Sequence, residues 1–208
     1  MFYEILNKKR RDILPFLANF KEEFYLAGGT ALALQLGHRD SIDFDFFKKG
    51  DIDNILLFTK VSQIFKDLKI VKILEEKNTL TLIIDDSIKL SFFSYNYNLV
   101  KNTIEDEFLN LASVEDIACM KLSAILSRAT NKDYIDLYYI FKKYDFSEIL
   151  KLYQKKYKNT DINLVLKSLV YFSDIEQEPI IYKENNQLNF TKVQEFLINL
   201  VKKYLSNL

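Results

Sequence analysis

Very little in these 208 residues punctuates or cross-links the chain. There is one cysteine, Cys119, so neither a disulfide framework nor a cysteine zinc knuckle can form, and a reducing cytoplasm is the expected compartment. Two prolines and four glycines exclude collagenous and proline-rich linker classes. No apolar run approaches the ~20 residues of a membrane span. The opening Met1-Phe2-Tyr3-Glu4 carries an early acid and leads into polar residues, unlike a secretory signal, so no membrane association is expected. No net charge remains, because 29 basic residues balance 29 acidic ones. Global electrostatics therefore does not mark a nucleic-acid binder, although local patches can still hold phosphate. The single histidine, His38, falls in a turn and reads as a plain polar residue.

Hydrophobic residues make up 49% of the chain and charged residues 28%, ordinary for a globular protein able to bury roughly 70% of its unfolded surface. The 13 tyrosines and 17 phenylalanines read mainly as core filling. The texture changes near residue 112. Before it, β-like and helical runs alternate; after it, nearly everything has helical spacing. The expected fold class is α+β (mixed α/β): a small mixed sheet with helices over residues 1–112, then a helical bundle over 113–208 that completes the cleft.

In the first part, apolar spacing predicts a helix between Ile5 and Phe20, with Pro15 obscuring its start. Strands are predicted at Phe24–Ala27, Ser41–Phe47, Ile70–Leu74, Thr79–Ile84 and Ile88–Tyr95, and helices at Ala31–Leu36 and Ile52–Leu68. Asp85-Asp86-Ser87 reads as a hairpin turn. In the second part, Ser113-Val114-Glu115-Asp116 is close to a capping box and predicts a helix to about Ala129. Thr130 or Asn131, Ser147 and Asp161 are expected caps for three more, and a last helix fits Thr191–Leu205.

The chemistry concentrates in LAGGTALALQLGHRDSIDFDFF, from Leu26 to Phe47. A strand runs into Gly28-Gly29-Thr30 at a helix start, where free N–H groups and the positive end of the helix dipole suit phosphate. Glycine there lets a ligand approach the backbone closely. After a polar turn, Asp43 and Asp45 stand two apart on a strand, so both face one way while Ile42, Phe44 and Phe46 face the core. Two carboxylates within ~5 Å repel by roughly 3 kcal/mol at an effective dielectric of 20, and a divalent cation relieves that. Hard oxygen ligands without His or Cys favour Mg²⁺ or Mn²⁺. Phosphate at the helix start and metal on the acids describe a nucleoside-triphosphate site. Arg39, in the intervening turn, is within reach of phosphate or acceptor.

This stretch resembles the nucleotidyltransferases of the DNA polymerase β-like superfamily, whose motif is a Gly-Gly or Gly-Ser turn followed by an acidic D-x-D strand. More narrowly, GGTALAL…HRDSIDFDFF is similar to the AbiEii/AbiGii toxin family. The segments LSFFSYNYNL and LASVEDIACMKLSAILSRATNKDYIDLYYI extend the likeness across residues ~24–140. The resemblance implies that Gly28, Gly29 and Thr30 hold the triphosphate and that Asp43 and Asp45 hold metal. It implies that Lys121 contacts phosphate, with Arg128, Asp133 and Asp136 as further site residues. Lys121 and Arg128 are seven apart and share a helix face, as do Asp133 and Asp136 on the next helix. It further implies NMP transfer from an NTP to an acceptor hydroxyl, an RNA or tRNA end being favoured, a toxin role, and a separately encoded antitoxin.

One position departs from the pattern. Enzymes with a full two-metal site carry a third carboxylate on a later strand, and here that strand reads Ile88-Lys89-Leu90-Ser91-Phe92-Phe93, with Ser91 at the expected acid. Asp86 is a substitute only if it is not a turn residue. Two rival readings follow: an enzyme that nucleotidylates a protein and so acts as an antitoxin, or a nucleotide- or RNA-binding module with little turnover. Elsewhere, Lys8-Lys9-Arg10-Arg11 reads as a solvated helix face and Cys119 as a small buried hydrophobe. Lys155, Lys156 and Lys158 among Tyr153 and Tyr157 have the composition of an RNA contact.

Overall fold

The computed structural model describes residues 1–182 and 188–207. The chain divides into two compact units, Met1–Ser113 and residues 114–208. In the first, the elements run α1 (Lys8–Asp12), α2 (Leu14–Leu17), β1 (Tyr25–Ala27), α3 (Gly28–Leu36), β2 (Asp43–Lys48), α4 (Asn54–Ile64), β3 (Ile70–Glu76), β4 (Thr79–Ile84), β5 (Ile88–Ser94), β6 (Ile104–Glu105) and β7 (Asn110–Leu111). They build a seven-stranded mixed sheet in the order β3-β4-β5-β2-β1-β7-β6. Pairing is parallel between β2 and β5 and between β1 and β7, and antiparallel elsewhere.

The alternation in β2 does what period two requires: Phe44 and Phe46 are fully buried while Asp43 and Asp45 lie on the opposite face. Phe46 stacks on Phe92 of β5, with ring centroids 5.3 Å apart, and Phe20 packs against both. Ile42 departs from expectation. It precedes the strand and is half exposed, and its carbonyl accepts a hydrogen bond from Arg10 Nε at 2.8 Å. The helix expected over Ile5–Phe20 is broken into short helical turns, with Pro15 in the first turn of α2. Strands β6 and β7, two residues each, are too short for periodicity to reveal. The hairpin turn at Asp85-Asp86 is as expected, and both residues adopt positive φ.

The second unit consists of α5 (Val114–Ser127), α6 (Asn131–Phe141), α7 (Phe146–Lys156), α8 (Ile162–Leu169) and α9 (Phe190–Leu205). Thr130, Asp145, Asp161 and Asn189 cap the last four by accepting N–H bonds from the first turn. Ser147 lies inside α7, because Asp145 takes the cap two residues earlier. Cys119 is fully buried, and burial pushes its thiol up to about 12. Among the described residues no helix is long and apolar enough to cross a membrane.

Candidate functional site

The site-bearing stretch folds as strand, helix, turn, strand. Gly28 opens α3 with φ +74°, a conformation that side-chain-bearing residues resist. A Cβ there would lie 3.1 Å from Asp45 Oδ2, so the carboxylate sits directly over the glycine backbone. A Cβ on Gly29 would come within 2.6 Å of Arg39 Nη2 and 3.3 Å of Ser41 Oγ. At Gly28 the positive φ calls for glycine, while at Gly29 a side chain would have to displace the Arg39 guanidinium. Thr30 is buried, and its hydroxyl donates to the Asp43 carbonyl and lies 2.8 Å from Ser41 Oγ, tying the first turn of α3 to the start of β2. The α3 helix closes on Gly37, which takes the left-handed conformation at φ +64°.

Register places the other neighbours. Asp45 pairs with Ala27 of β1 on one side and with Ser91 of β5 on the other. Ser91 thus occupies the sheet position beside the acid where a third carboxylate is expected, and its buried hydroxyl finds no hydrogen-bond partner among the described residues. Asp43 pairs with Lys89, whose Nζ stands 3.7 Å from Asp43 Oδ2, both side chains being close to half exposed. Asp86 lies at the hairpin turn in an exposed ion pair with Lys69 at 2.7 Å, so it is no substitute for the missing acid.

Two basic residues at this site escape sequence reasoning. Lys89 shows itself only through the β2–β5 register. Arg10, read as part of a solvated run, is buried and donates to the Ile42 and Ser87 carbonyls at 2.8 and 2.9 Å. Burial lowers its guanidinium from the usual value, and the charge of Asp43 works in the opposite direction. Its role is to clamp the entry of β2 to the hairpin before β5. His38 and Arg39 are both buried, so the turn is not a plain surface loop. Arg39 Nη1 donates to the Asp40 carbonyl at 3.0 Å.

The remaining candidates belong to the helical unit. Lys121 on α5 is buried, with Nζ 2.7 Å from Asp133 Oδ1 and 2.8 Å from Asp136 Oδ2. The Thr130 hydroxyl donates to Asp133 Oδ2 at 3.1 Å. These four residues form one compact ionic cluster. Arg128 lies just past the end of α5 and is exposed. Lys156 is fully buried against Asp116 at 2.8 Å, which removes it from any basic surface.

Among the described residues, no group of three or more His, Cys, Asp or Glu side chains is placed to hold a metal. Asp43 and Asp45 supply two hard-oxygen donors on one face, suited to Mg²⁺ or Mn²⁺ when phosphate oxygens and water complete the shell. The chain is 40% identical over 210 residues to the uncharacterized protein aq_aa25 of Aquifex aeolicus, covering 97% of this chain and 98% of that one. The solved structure of MenT4, the nucleotidyltransferase toxin Rv2826c of Mycobacterium tuberculosis, superposes with a TM-score of 0.62 at 15% identity, covering 92% of this chain and 82% of that one. JHP933 of Helicobacter pylori superposes with a TM-score of 0.57 at 18% identity, over 97% and 95%. Both likenesses are of fold. The family model described as "Nucleotidyl transferase AbiEii toxin, Type IV TA system" matches residues 16–200. With the glycine turn, the paired acids and a match across most of its length, this chain belongs to the AbiEii nucleotidyltransferase toxin family and is a nucleotidyltransferase.

Proposed function

We propose that the protein transfers a nucleoside monophosphate from an NTP to an acceptor hydroxyl, with an RNA or tRNA end as the favoured acceptor, and that it acts as a toxin held in check by a separately encoded antitoxin in the cytoplasm. The observation that carries this reading is the Asp45 carboxylate lying over Gly28 at the start of α3, with Asp43 beside it on the same face. The N–H groups of the first turn of α3 bind the polyphosphate, and Arg39 adds positive charge beside Gly29. A bound Mg²⁺ or Mn²⁺ would be held by Asp43 and Asp45 and would neutralise charge developing on the phosphate. The acceptor oxygen forms a bond to the α-phosphorus, the bond to the β-phosphate bridging oxygen breaks, and pyrophosphate leaves. The acceptor proton goes to water, because Ser91 provides no carboxylate to receive it. A phosphate role for Lys121, Arg128, Asp133 and Asp136 rests on the family resemblance; within the helical unit three of them are already engaged with one another.

The test incubates the protein with each α-labelled NTP, Mg²⁺, total RNA and lysate protein. Label should move to RNA, and Asp43→Asn/Asp45→Asn should abolish transfer by at least 100-fold. Transfer that survives the double substitution overturns the site. Label on protein selects a protein-modifying enzyme. Ser91 favours one second reading, a nucleotide-binding module with little turnover, which Mg²⁺-dependent NTP binding without product would select.

A further inference from the structure

Strand β5 sets a cation and a neutral hydroxyl against the two acids. Register puts Lys89 beside Asp43 and Ser91 beside Asp45. Register partners share a sheet face, so all four side chains stand together. Ser91 is buried, and its hydroxyl has no hydrogen-bond partner among the described residues. It adds no negative charge to Asp45. Lys89 adds positive charge, with Nζ 3.7 Å from Asp43 Oδ2 and both side chains close to half exposed. The acids of the hairpin before β5 are engaged elsewhere: Asp85 pairs with Lys9 and Asp86 with Lys69, each at 2.7 Å.

These charges decide how much metal the site can hold. Two divalent cations about 3.5–4 Å apart repel each other strongly and stay together only where enough anionic ligands surround them. Asp43 and Asp45 together match the charge of one such cation, and the ammonium beside Asp43 opposes the arrival of a second. Among the described residues no third acid, histidine or cysteine joins the pair. A triphosphate nevertheless carries more negative charge than one divalent cation neutralises. Lys89 is placed to supply the rest. Its ammonium is a compact charge with three donors, and its 3.7 Å contact with Asp43 is longer than a hydrogen bond, so a phosphate oxygen can replace it. Arg10 is not placed to do so, because it is buried and donates to the Ile42 and Ser87 carbonyls.

We propose that the site takes a single divalent cation on Asp43 and Asp45, and that Lys89 supplies the second positive charge by moving from Asp43 to the phosphates of the bound NTP. This rests on the nucleotidyl-transfer reading and adds how the phosphates are neutralised. The test is equilibrium dialysis of the full-length protein with Mn²⁺ and each non-hydrolysable α,β-methylene NTP in turn. The unsubstituted protein should hold a single Mn²⁺ per bound nucleotide. Lys89→Met should weaken nucleotide binding about tenfold, and Lys89→Arg should restore most of it. Without nucleotide, Lys89→Met should instead tighten Mn²⁺ binding about threefold, because a like charge beside Asp43 is gone. A merely structural lysine would not give these opposite effects. Asp45→Asn is the control and should weaken both Mn²⁺ and nucleotide. Two Mn²⁺ per bound nucleotide overturns the proposal. So does nucleotide binding indifferent to Lys89→Met, or Mn²⁺ binding that this variant leaves unchanged or weakens. If Asp45→Asn still weakens binding in those cases, nucleotidyl transfer survives. Binding indifferent to Asp45→Asn, or no binding of any NTP analogue, overturns the site itself and the role of Lys89 with it.

Discussion

The protein holds two carboxylate pairs in opposite ways. In the helical unit, Asp133 and Asp136 share Lys121 at 2.7 and 2.8 Å, and the acids are 6% and 0% exposed. In the sheet unit, Asp43 has Lys89 at 3.7 Å with both groups near half exposure. The first cluster is short, buried and tightly paired, the form that ionic groups must take away from water. The second, between Asp43 and Lys89, is looser and open to solvent. Burial with tight pairing marks charge serving the fold. Exposure with a long, loose contact leaves the Asp43 carboxylate accessible.

Substitutions should separate the two clusters by the size of their stability cost. Lys121→Met should cost the most, about 3–5 kcal/mol, because it leaves two acids buried without their cation. Urea denaturation checks this, and a loss below 1 kcal/mol would erase the contrast. Arg10→Met should come next, at about 1–3 kcal/mol, since two backbone carbonyls lose a buried donor. Asp43→Asn should change stability least, by about 0.5 kcal/mol or less, as expected for an exposed, loosely paired charge. A large loss of melting temperature in that variant would mean that the open pair is structural too.

The parts of the site legible in the sequence are those set by local rules. Period two puts Asp43 and Asp45 together on β2, and the Gly28-Gly29 turn at a helix start needs only neighbouring residues to be recognised. Ser91 was legible because its strand is regular. What was hidden depends on register between distant segments. Lys89 faces Asp43 only through the parallel pairing of β2 with β5. Arg10 reads as part of a solvated basic run and Lys156 as part of a basic run suited to RNA, and only tertiary packing buries one residue of each. Ile42 fits the alternation, yet the ladder starts one residue later.

The Thr30 hydroxyl bond to the Asp43 carbonyl makes helix and strand a single mechanical part. The first turn of α3 and the start of β2 are held together through this contact and through Ser41. A shift in that first turn is thus transmitted to the strand edge that bears the acids.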